Sequence, residues 1–203
     1  MNCRVEGMKR IPLTTAVIVA EAADLADEAG FAAVTLAAVA RRLGVQTPSL
    51  YAHVRDHAAL LDGITTVALA ELAERLAVAL AGRSGRPALH AFAEVHRTYS
   101  QDSPGRWQSL QRRAGPAAVG SAAARHVAAL TDALLRGYDL PPGERVHAIR
   151  LVASTISGYL ALERAGSFDH SPPTPDASWR TALDALDALL LAWPPDSQNW
   201  IPR

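Results

Sequence analysis

The chain has 203 residues, and its twenty basic and twenty acidic side chains leave no formal net charge. Overall charge therefore gives no indication of a nucleic-acid partner. Hydrophobic residues make up 49% of the chain and aromatic ones only 5%, so a core must be built chiefly from alanine, leucine and valine. No stretch reaches the roughly 18 uncharged apolar residues of a membrane span, and the charged N-terminus does not resemble a signal peptide. A single cysteine excludes an intramolecular disulfide, so a soluble cytoplasmic protein is predicted.

The composition favours helices throughout. Alanine is abundant, and no segment alternates apolar and polar residues with the period of a strand, so we predict an all-α fold. Residues 1–11 form a flexible basic arm that could reach phosphates or simply fray. A first helix is predicted from Pro12 to Ala29, and Gly30 ends it.

The segment 34–55 has the pattern of two short helices joined by a tight turn. Thr35 can cap the first helix, and Gly44 can turn the chain in the left-handed conformation without a Cβ penalty. Thr47 can cap the second helix, in which Pro48 occupies the first turn. The first helix carries apolar residues with the spacing of one face: Leu36, Val39, Ala40 and Leu43. This is the helix-turn-helix pattern, whose second helix enters the DNA major groove.

Charge is unevenly distributed around this motif. Between Ala29 and Arg55 there are three arginines and no acidic residue, whereas four acidic residues lie between positions 21 and 28. A local positive face is what phosphate binding requires, although an ordinary solvated helix surface can show the same imbalance. Thr35 and Asp56 also mark helix starts, where exposed N–H groups attract anions.

Only helices are predicted beyond the motif. Asp56 caps a long helix that ends near Leu80, and the Gly/Ser/Arg/Pro run 82–87 is the clearest break in the sequence. Proline- and glycine-rich segments separate the remaining helices. These are predicted at 88–100, 107–113, 117–136, 144–165 and 177–193.

The motif resembles the DNA-binding domain of TetR-family transcriptional regulators over roughly residues 12–65. The shared residues are a Thr-Leu opening, Val39-Ala40, Leu43-Gly44-Val45, Leu50-Tyr51-x-His53-Val54 and a basic residue at position 55. A second similarity, from Arg150 to about Leu191, is to the C-terminal signature of a TetR subgroup with a Trp-His-Gly-type core. It is carried by Gly158-Tyr159-x-x-Leu162-Glu163-x-x-Gly166-x-Phe168, with Ser157 where that core has histidine.

The resemblance implies a division of the chain and a set of DNA contacts. Residues 12–57 would form the helix-turn-helix domain, and residues 58–203 an effector-binding and dimerisation domain. Contacts to the DNA backbone are expected from Thr35, Arg42, Tyr51, His53 and Arg55. Bases would be read by Gln46, Thr47 and Ser49, with Pro48 against a thymine methyl. The competing interpretation of each side chain is an ordinary exposed polar group.

The C-terminal helices are expected to serve two further purposes. A small-molecule effector needs apolar walls with a few polar groups, although a plain core would look similar. The predicted effector-binding residues are Phe92, His96, Tyr99, Trp107 and His126. One recognition helix reads few base pairs, so two copies on a palindrome are expected, and these need a self-complementary apolar surface. The predicted interface residues, some of which could instead be core, are Ile149, Val152, Ile156, Leu160, Leu183, Leu186 and Leu190.

No catalytic, metal-binding or cofactor-binding motif is recognisable in the sequence. It lacks GxGxxG, P-loop, HExxH and CxxC patterns, so we predict no enzyme, metal or cofactor. The preferred hypothesis is a homodimeric, ligand-responsive repressor that binds palindromic double-stranded operator DNA, with the long helix after residue 56 transmitting the ligand's effect. One alternative is a DNA-binding regulator without a small-molecule effector. Another is a helical interaction module with a vestigial helix-turn-helix.

Overall fold

The computed structural model describes residues 12–141 and 143–194, and the regular structure in these ranges is entirely helical, as predicted. The predicted basic arm, residues 1–11, lies outside the described residues. A short 3-10 turn, Phe31–Ala33, follows the first helix. The α-helices of the described part are α1 (Thr15–Ala29), α2 (Leu36–Arg42), α3 (Thr47–Leu50), α4 (His57–Leu80), α5 (Gly85–Asp102), α6 (Pro104–Ser109), α7 (Pro116–Val119), α8 (Ala122–Leu135), α9 (Arg145–Arg164) and α10 (Pro175–Leu191).

Side-chain caps begin two of the helices around the motif, α2 and α4. The Thr35 hydroxyl accepts a hydrogen bond from the Ala38 N–H at 3.1 Å, and the Asp56 carboxylate accepts one from the Ala59 N–H at 2.8 Å. Both predicted caps are therefore confirmed. The prediction for Thr47 is wrong, because the N-cap of α3 is the preceding residue and makes no side-chain bond. A helix this short is held by its packing instead.

Two hydrophobic clusters divide the described chain. One joins α1, α2 and α3 to the first turns of α4, which contributes Leu60 and Ile64. The other joins α5, α6, α8, α9 and α10 to the rest of α4, which contributes Ala68, Leu72 and Leu76. The clusters meet inside one continuous helix, so α4 is shared between the two cores. A displacement of α4 must therefore change the packing of both cores.

Two glycines allow α4 and α6 to approach α1 closely. A Cβ atom at Gly63 of α4 would lie 2.6 Å from a methyl carbon of Val19, and one at Gly105 of α6 would lie 2.1 Å from the backbone of Ala26. The second clash is the more severe because a backbone cannot rotate away as a side chain can. Helix α6 thus packs directly on the α1 backbone at Gly105, and the Val19 side chain of α1 fills the space left by Gly63 of α4.

Several predicted helix boundaries are corrected by the structure. The helix predicted at 117–136 is two helices, because Ser121 begins α8 by accepting a bond from the Ala124 N–H at 3.0 Å. The helix predicted at 107–113 begins earlier, at Pro104, which suits a first turn. The run 82–87 is only a tight connection, since α5 already begins within it, at Gly85, and packs against α4.

None of the helices in the described part of the chain combines the length and the hydropathy needed to cross a bilayer.

Candidate DNA-binding surface and ligand cavity

Helix α3 is anchored on one side and open on the other. Leu50 is fully buried and Val54 nearly so, and both belong to the N-terminal cluster. The opposite side is accessible, with 55% of Tyr51 exposed. Thr47 is half-buried, and the other predicted contact residues of this segment are exposed: Gln46, Pro48, Ser49 and His53. The helix thus presents a polar surface whose orientation is set by a buried leucine.

The C-terminal end of the motif is tied to α1 and leads directly into α4. The Thr15 hydroxyl of α1 donates to the backbone carbonyl of His53 at 2.9 Å, which fixes the end of the α3 segment. Arg55 is exposed and pairs with the Asp56 carboxylate at 2.8 Å. The Ala59 N–H and then this arginine lower the pKa of Asp56, so its carboxylate stays ionised as the cap of α4.

The two arginines at the end of α2 have different surroundings. Arg42 forms ion pairs with Glu21 and Glu28 of α1. Its guanidinium therefore holds α2 against α1, and its predicted contact with the DNA backbone stays a prediction. The adjacent Arg41 is exposed and makes no ion pair within the described residues, so it is the better candidate for a phosphate contact. The sequence contained the arginine pair but no signal to distinguish its members.

A cavity of about 310 Å³ lies between α5, α8 and α9. Two of the five predicted effector-binding residues, Phe92 and His96, line it. The other three do not line it. Tyr99 is buried outside the cavity wall and donates to Glu71 at 2.8 Å, Trp107 is buried in the core, and His126 is exposed. The apolar lining residues that sequence reasoning missed include Leu69, Val127 and Ala128, whereas Thr131 and Ser157 add hydroxyl groups.

His96 is held in one orientation and one charge state. Its Nδ1 atom lies 2.8 Å from the Phe92 carbonyl oxygen, and its ring contacts Phe92 and the Trp107 ring, the latter edge-on at 5.8 Å between centroids. Burial lowers the pKa of His96 to about 4, against the weaker opposing effect of the bond to Phe92. The imidazole is therefore neutral at pH 7.

This lowered pKa predicts a pH dependence of stability. Because the pKa is lower in the folded than in the unfolded state, the contribution is fully present above about pH 6.5 and is lost as the pH falls toward 4. We expect His96 to account for a loss of about 2 kcal/mol in the free energy of unfolding between about pH 7 and pH 5. Urea denaturation at both pH values measures it. A His96→Phe variant that loses as much stability as the unchanged protein would contradict the assignment.

The ring contact between His96 and Trp107 leads from the cavity to the N-terminal cluster. Trp107 lies on α6, whose Gly105 and Arg106 N–H groups both donate to the Asp27 carboxylate of α1 at 2.8 Å. The Arg106 guanidinium also pairs with Asp27, and with Asp24 at 2.7 Å. The cavity wall is therefore connected to α1 through one ring contact and the polar bonds of α6 to Asp27 and Asp24.

The predicted dimer interface is corrected by the burial of its residues. Six of the seven are at most 2% exposed and belong to the C-terminal cluster of the same protomer: Val152, Ile156, Leu160, Leu183, Leu186 and Leu190. The seventh, Ile149, is half-buried against that cluster and lines the cavity. The apolar spacing was read correctly as one helix face, but that face points into the protomer. The exposed side of α9 and α10 instead carries Leu162, Leu189 and Leu191.

An open recognition helix, a shared α4 and a separate helical core with a cavity define a helix-turn-helix protein of the regulator class. Two family models match the chain. The model for bacterial regulatory proteins of the tetR family covers residues 18–64, and the Tetracyclin repressor-like C-terminal domain covers residues 89–186.

Individual relatives agree with these family matches. The uncharacterised HTH-type transcriptional regulator Rv0681 of Mycobacterium tuberculosis is 30% identical over 75% of this chain and 71% of its own length. YobS of Bacillus subtilis is also an uncharacterised HTH-type transcriptional regulator. It is 26% identical over 87% of this chain and 94% of its own length. A solved structure of a TetR variant from Acinetobacter baumannii in complex with minocycline is 26% identical, with a TM-score of 0.66 over 87% of this chain and 96% of that one.

The chain belongs to the TetR family of helix-turn-helix transcriptional regulators. Members of this family are DNA-binding transcription factors and not enzymes. The assignment to the Trp-His-Gly-type subgroup stays a prediction.

Proposed function

We propose that this regulator is a ligand-responsive repressor that binds palindromic operator DNA as a homodimer. The observation that carries the proposal is the continuous connection from the cavity to α1, on which the recognition helix is packed. A tetracycline repressor of Escherichia coli is 29% identical over 84% of this chain, and the related TetR structure contains minocycline. These relatives support a regulator that responds to a small molecule.

The proposed switch requires a ligand to favour one of two arrangements. A ligand in the cavity contacts His96, whose ring lies against Trp107 of α6. A shift of α6 moves Asp27, because the α6 backbone and the α1 carboxylate are directly bonded. Helix α4 provides a second route, since it lies in both cores. The two recognition helices of a dimer then no longer match their half-sites, and operator affinity falls.

The proposed dimer uses the exposed side of α9 and α10. On α9, Ser154, Gly158, Ala161 and Leu162 are exposed and lie three or four residues apart, so they share one face. Small residues on such a face allow close approach of a second helix. The neighbouring α10, which contacts α9, exposes Leu189 together with alanines.

A Gly158→Arg substitution is expected to convert the dimer to a monomer and to weaken operator binding at least about tenfold, because both half-sites are then bound separately. No atom lies near the position of a Cβ at Gly158, and arginine is a better helix former than glycine, so the protomer should fold normally. Light scattering measures the mass and circular dichroism the folding. Val119→Arg, on the exposed surface of α7, is the matched control and should stay dimeric. A dimeric Gly158→Arg protein would place the interface elsewhere.

The proposed function is tested by operator binding. The purified protein is titrated with the intergenic DNA upstream of its own gene and with a shuffled sequence, at two salt concentrations. Specific and salt-sensitive binding is expected, because phosphate contacts release counterions. Absence of binding even to sequences selected from random DNA would overturn the proposal. Specific binding that no small molecule weakens would favour a regulator without an effector.

A further inference from the structure

We propose that the effector is an uncharged, largely apolar small molecule with one hydroxyl or N–H group, which donates a hydrogen bond to Nε2 of His96. This inference rests on the proposed function, since it assigns a chemical class to the ligand of the same cavity. It follows from the tautomer of His96, the absence of charge in the cavity wall and the cavity's size.

The tautomer is determined by a backbone contact. A carbonyl oxygen can only accept, so the Nδ1 atom of His96, at 2.8 Å from the Phe92 oxygen, must carry the proton. In a neutral imidazole the other nitrogen, Nε2, is then an acceptor without a proton. The ring lines the cavity, and Nδ1 is turned back to its own helix. The nitrogen left for a ligand therefore requires a donor from that ligand.

Thr131, the second polar residue of the wall, also favours a ligand that donates a hydrogen bond. The Thr131 hydroxyl donates to the Val127 carbonyl at 2.9 Å within α8, so its proton is already used and its oxygen is left to accept. Ser157 contributes one more hydroxyl from α9. Two of the three polar side chains in the wall are thus acceptors, which favours ligands that donate.

Charge is excluded by the rest of the wall. The described residues that line the cavity include no aspartate, glutamate, lysine or arginine, and most are alanine, valine, isoleucine, leucine or phenylalanine. An ionised ligand would lose its hydration without gaining a partner of opposite charge, which strongly lowers its affinity. Carboxylates and ammonium compounds should therefore bind poorly.

The volume limits the ligand to a small molecule. About 310 Å³ is at the lower end of the range for small-molecule sites and admits a bicyclic aromatic compound. The Phe92 ring forms part of the wall, so a flat aromatic ligand can pack against it.

Three compounds that share a naphthalene ring separate the effects of apolar contact, hydrogen bonding and charge. They are naphthalene, naphthol and naphthoate, the last two substituted at the same carbon. Calorimetry on the protein without DNA measures the affinities. We expect naphthol to bind about five- to tenfold more tightly than naphthalene, as for one net hydrogen bond, and at least about a hundredfold more tightly than naphthoate. Naphthoate binding as tightly as naphthol, or none of the three binding, would overturn the proposal.

Substitutions in the cavity wall test whether these compounds bind there. His96→Phe should abolish the preference for naphthol over naphthalene while both still bind, and His96→Gln, which retains an acceptor, should restore part of it. Ala124→Phe, from the cavity wall on α8, should abolish binding, whereas His126→Phe on the exposed side of the same helix should not. Unchanged preference in His96→Phe would overturn the inference. Failure of bound naphthol to release operator DNA would count against the proposed switch and not against the ligand class.

Discussion

A Tyr51→Ala variant is expected to bind operator DNA about a hundredfold more weakly than the unchanged protein. Tyr51 lies beside α3 with more than half of its surface exposed, so a bound phosphate can be reached from this position. A hydrogen bond to a charged group contributes about 1.5 kcal/mol, and a dimer makes the contact twice, which gives about 3 kcal/mol. Fluorescence anisotropy at fixed salt measures the loss.

The same variant should leave the free energy of unfolding nearly unchanged, because the ring contributes little to the core. Gln46→Ala is the informative comparison. A base contact, when lost, relaxes the preference for operator over shuffled DNA, whereas a lost phosphate contact weakens binding to both. Operator affinity that is unaltered in Tyr51→Ala would remove this residue from the interface.

Replacement of Asp27 by alanine is expected to lower the free energy of unfolding by about 3 kcal/mol. The carboxylate accepts from two backbone N–H groups of α6 and pairs with Arg106, and both side chains are only about one-sixth exposed, at 16% and 15%. Without Asp27, the two N–H groups lose their acceptor in a partly buried position, and Arg106 keeps only its pairs with Asp24 and Glu71. Urea denaturation measures the change.

Asp24→Ala is the matched control for Asp27→Ala. Asp24 lies one turn earlier on α1 and pairs with the same arginine, but it is 52% exposed, so its loss should cost less than about 1 kcal/mol. Equal losses in the two variants would show that α6 is not held by Asp27. We further expect naphthol to release operator DNA less effectively from Asp27→Ala, because the hydrogen bonds between α6 and Asp27 of α1 are then lost.

The sequence predicts the helical character of the chain, the turn of the motif and two of its caps. These features depend on neighbours within about four residues. Thr35 and Asp56 cap their helices in the folded protein as they would in isolated segments. Gly44 adopts a φ of 66°, as the turn of the motif requires. Family membership was also accessible from sequence, because its signature lies in this same local segment.

The site predictions that failed depend on packing between distant segments. The apolar faces of α9 and α10 were recognised, but periodicity cannot say whether such a face meets its own protomer or a partner. Here other helices cover that face, so the predicted dimer residues form core. Likewise, no local pattern indicates that α1 brings Glu21 and Glu28 against Arg42.

The sequence by itself determined the helices, the helix-turn-helix and the family, since these follow from local spacing and capping. Only the tertiary structure decided which aromatic residues border the cavity, which arginine remains available for phosphate and how α6 is joined to α1. Asp27 and Gly105 are 78 residues apart along the chain, and their contact exists because α6 packs directly on the backbone of α1. Contacts over such separations depend on the arrangement of whole helices, which no local pattern contains.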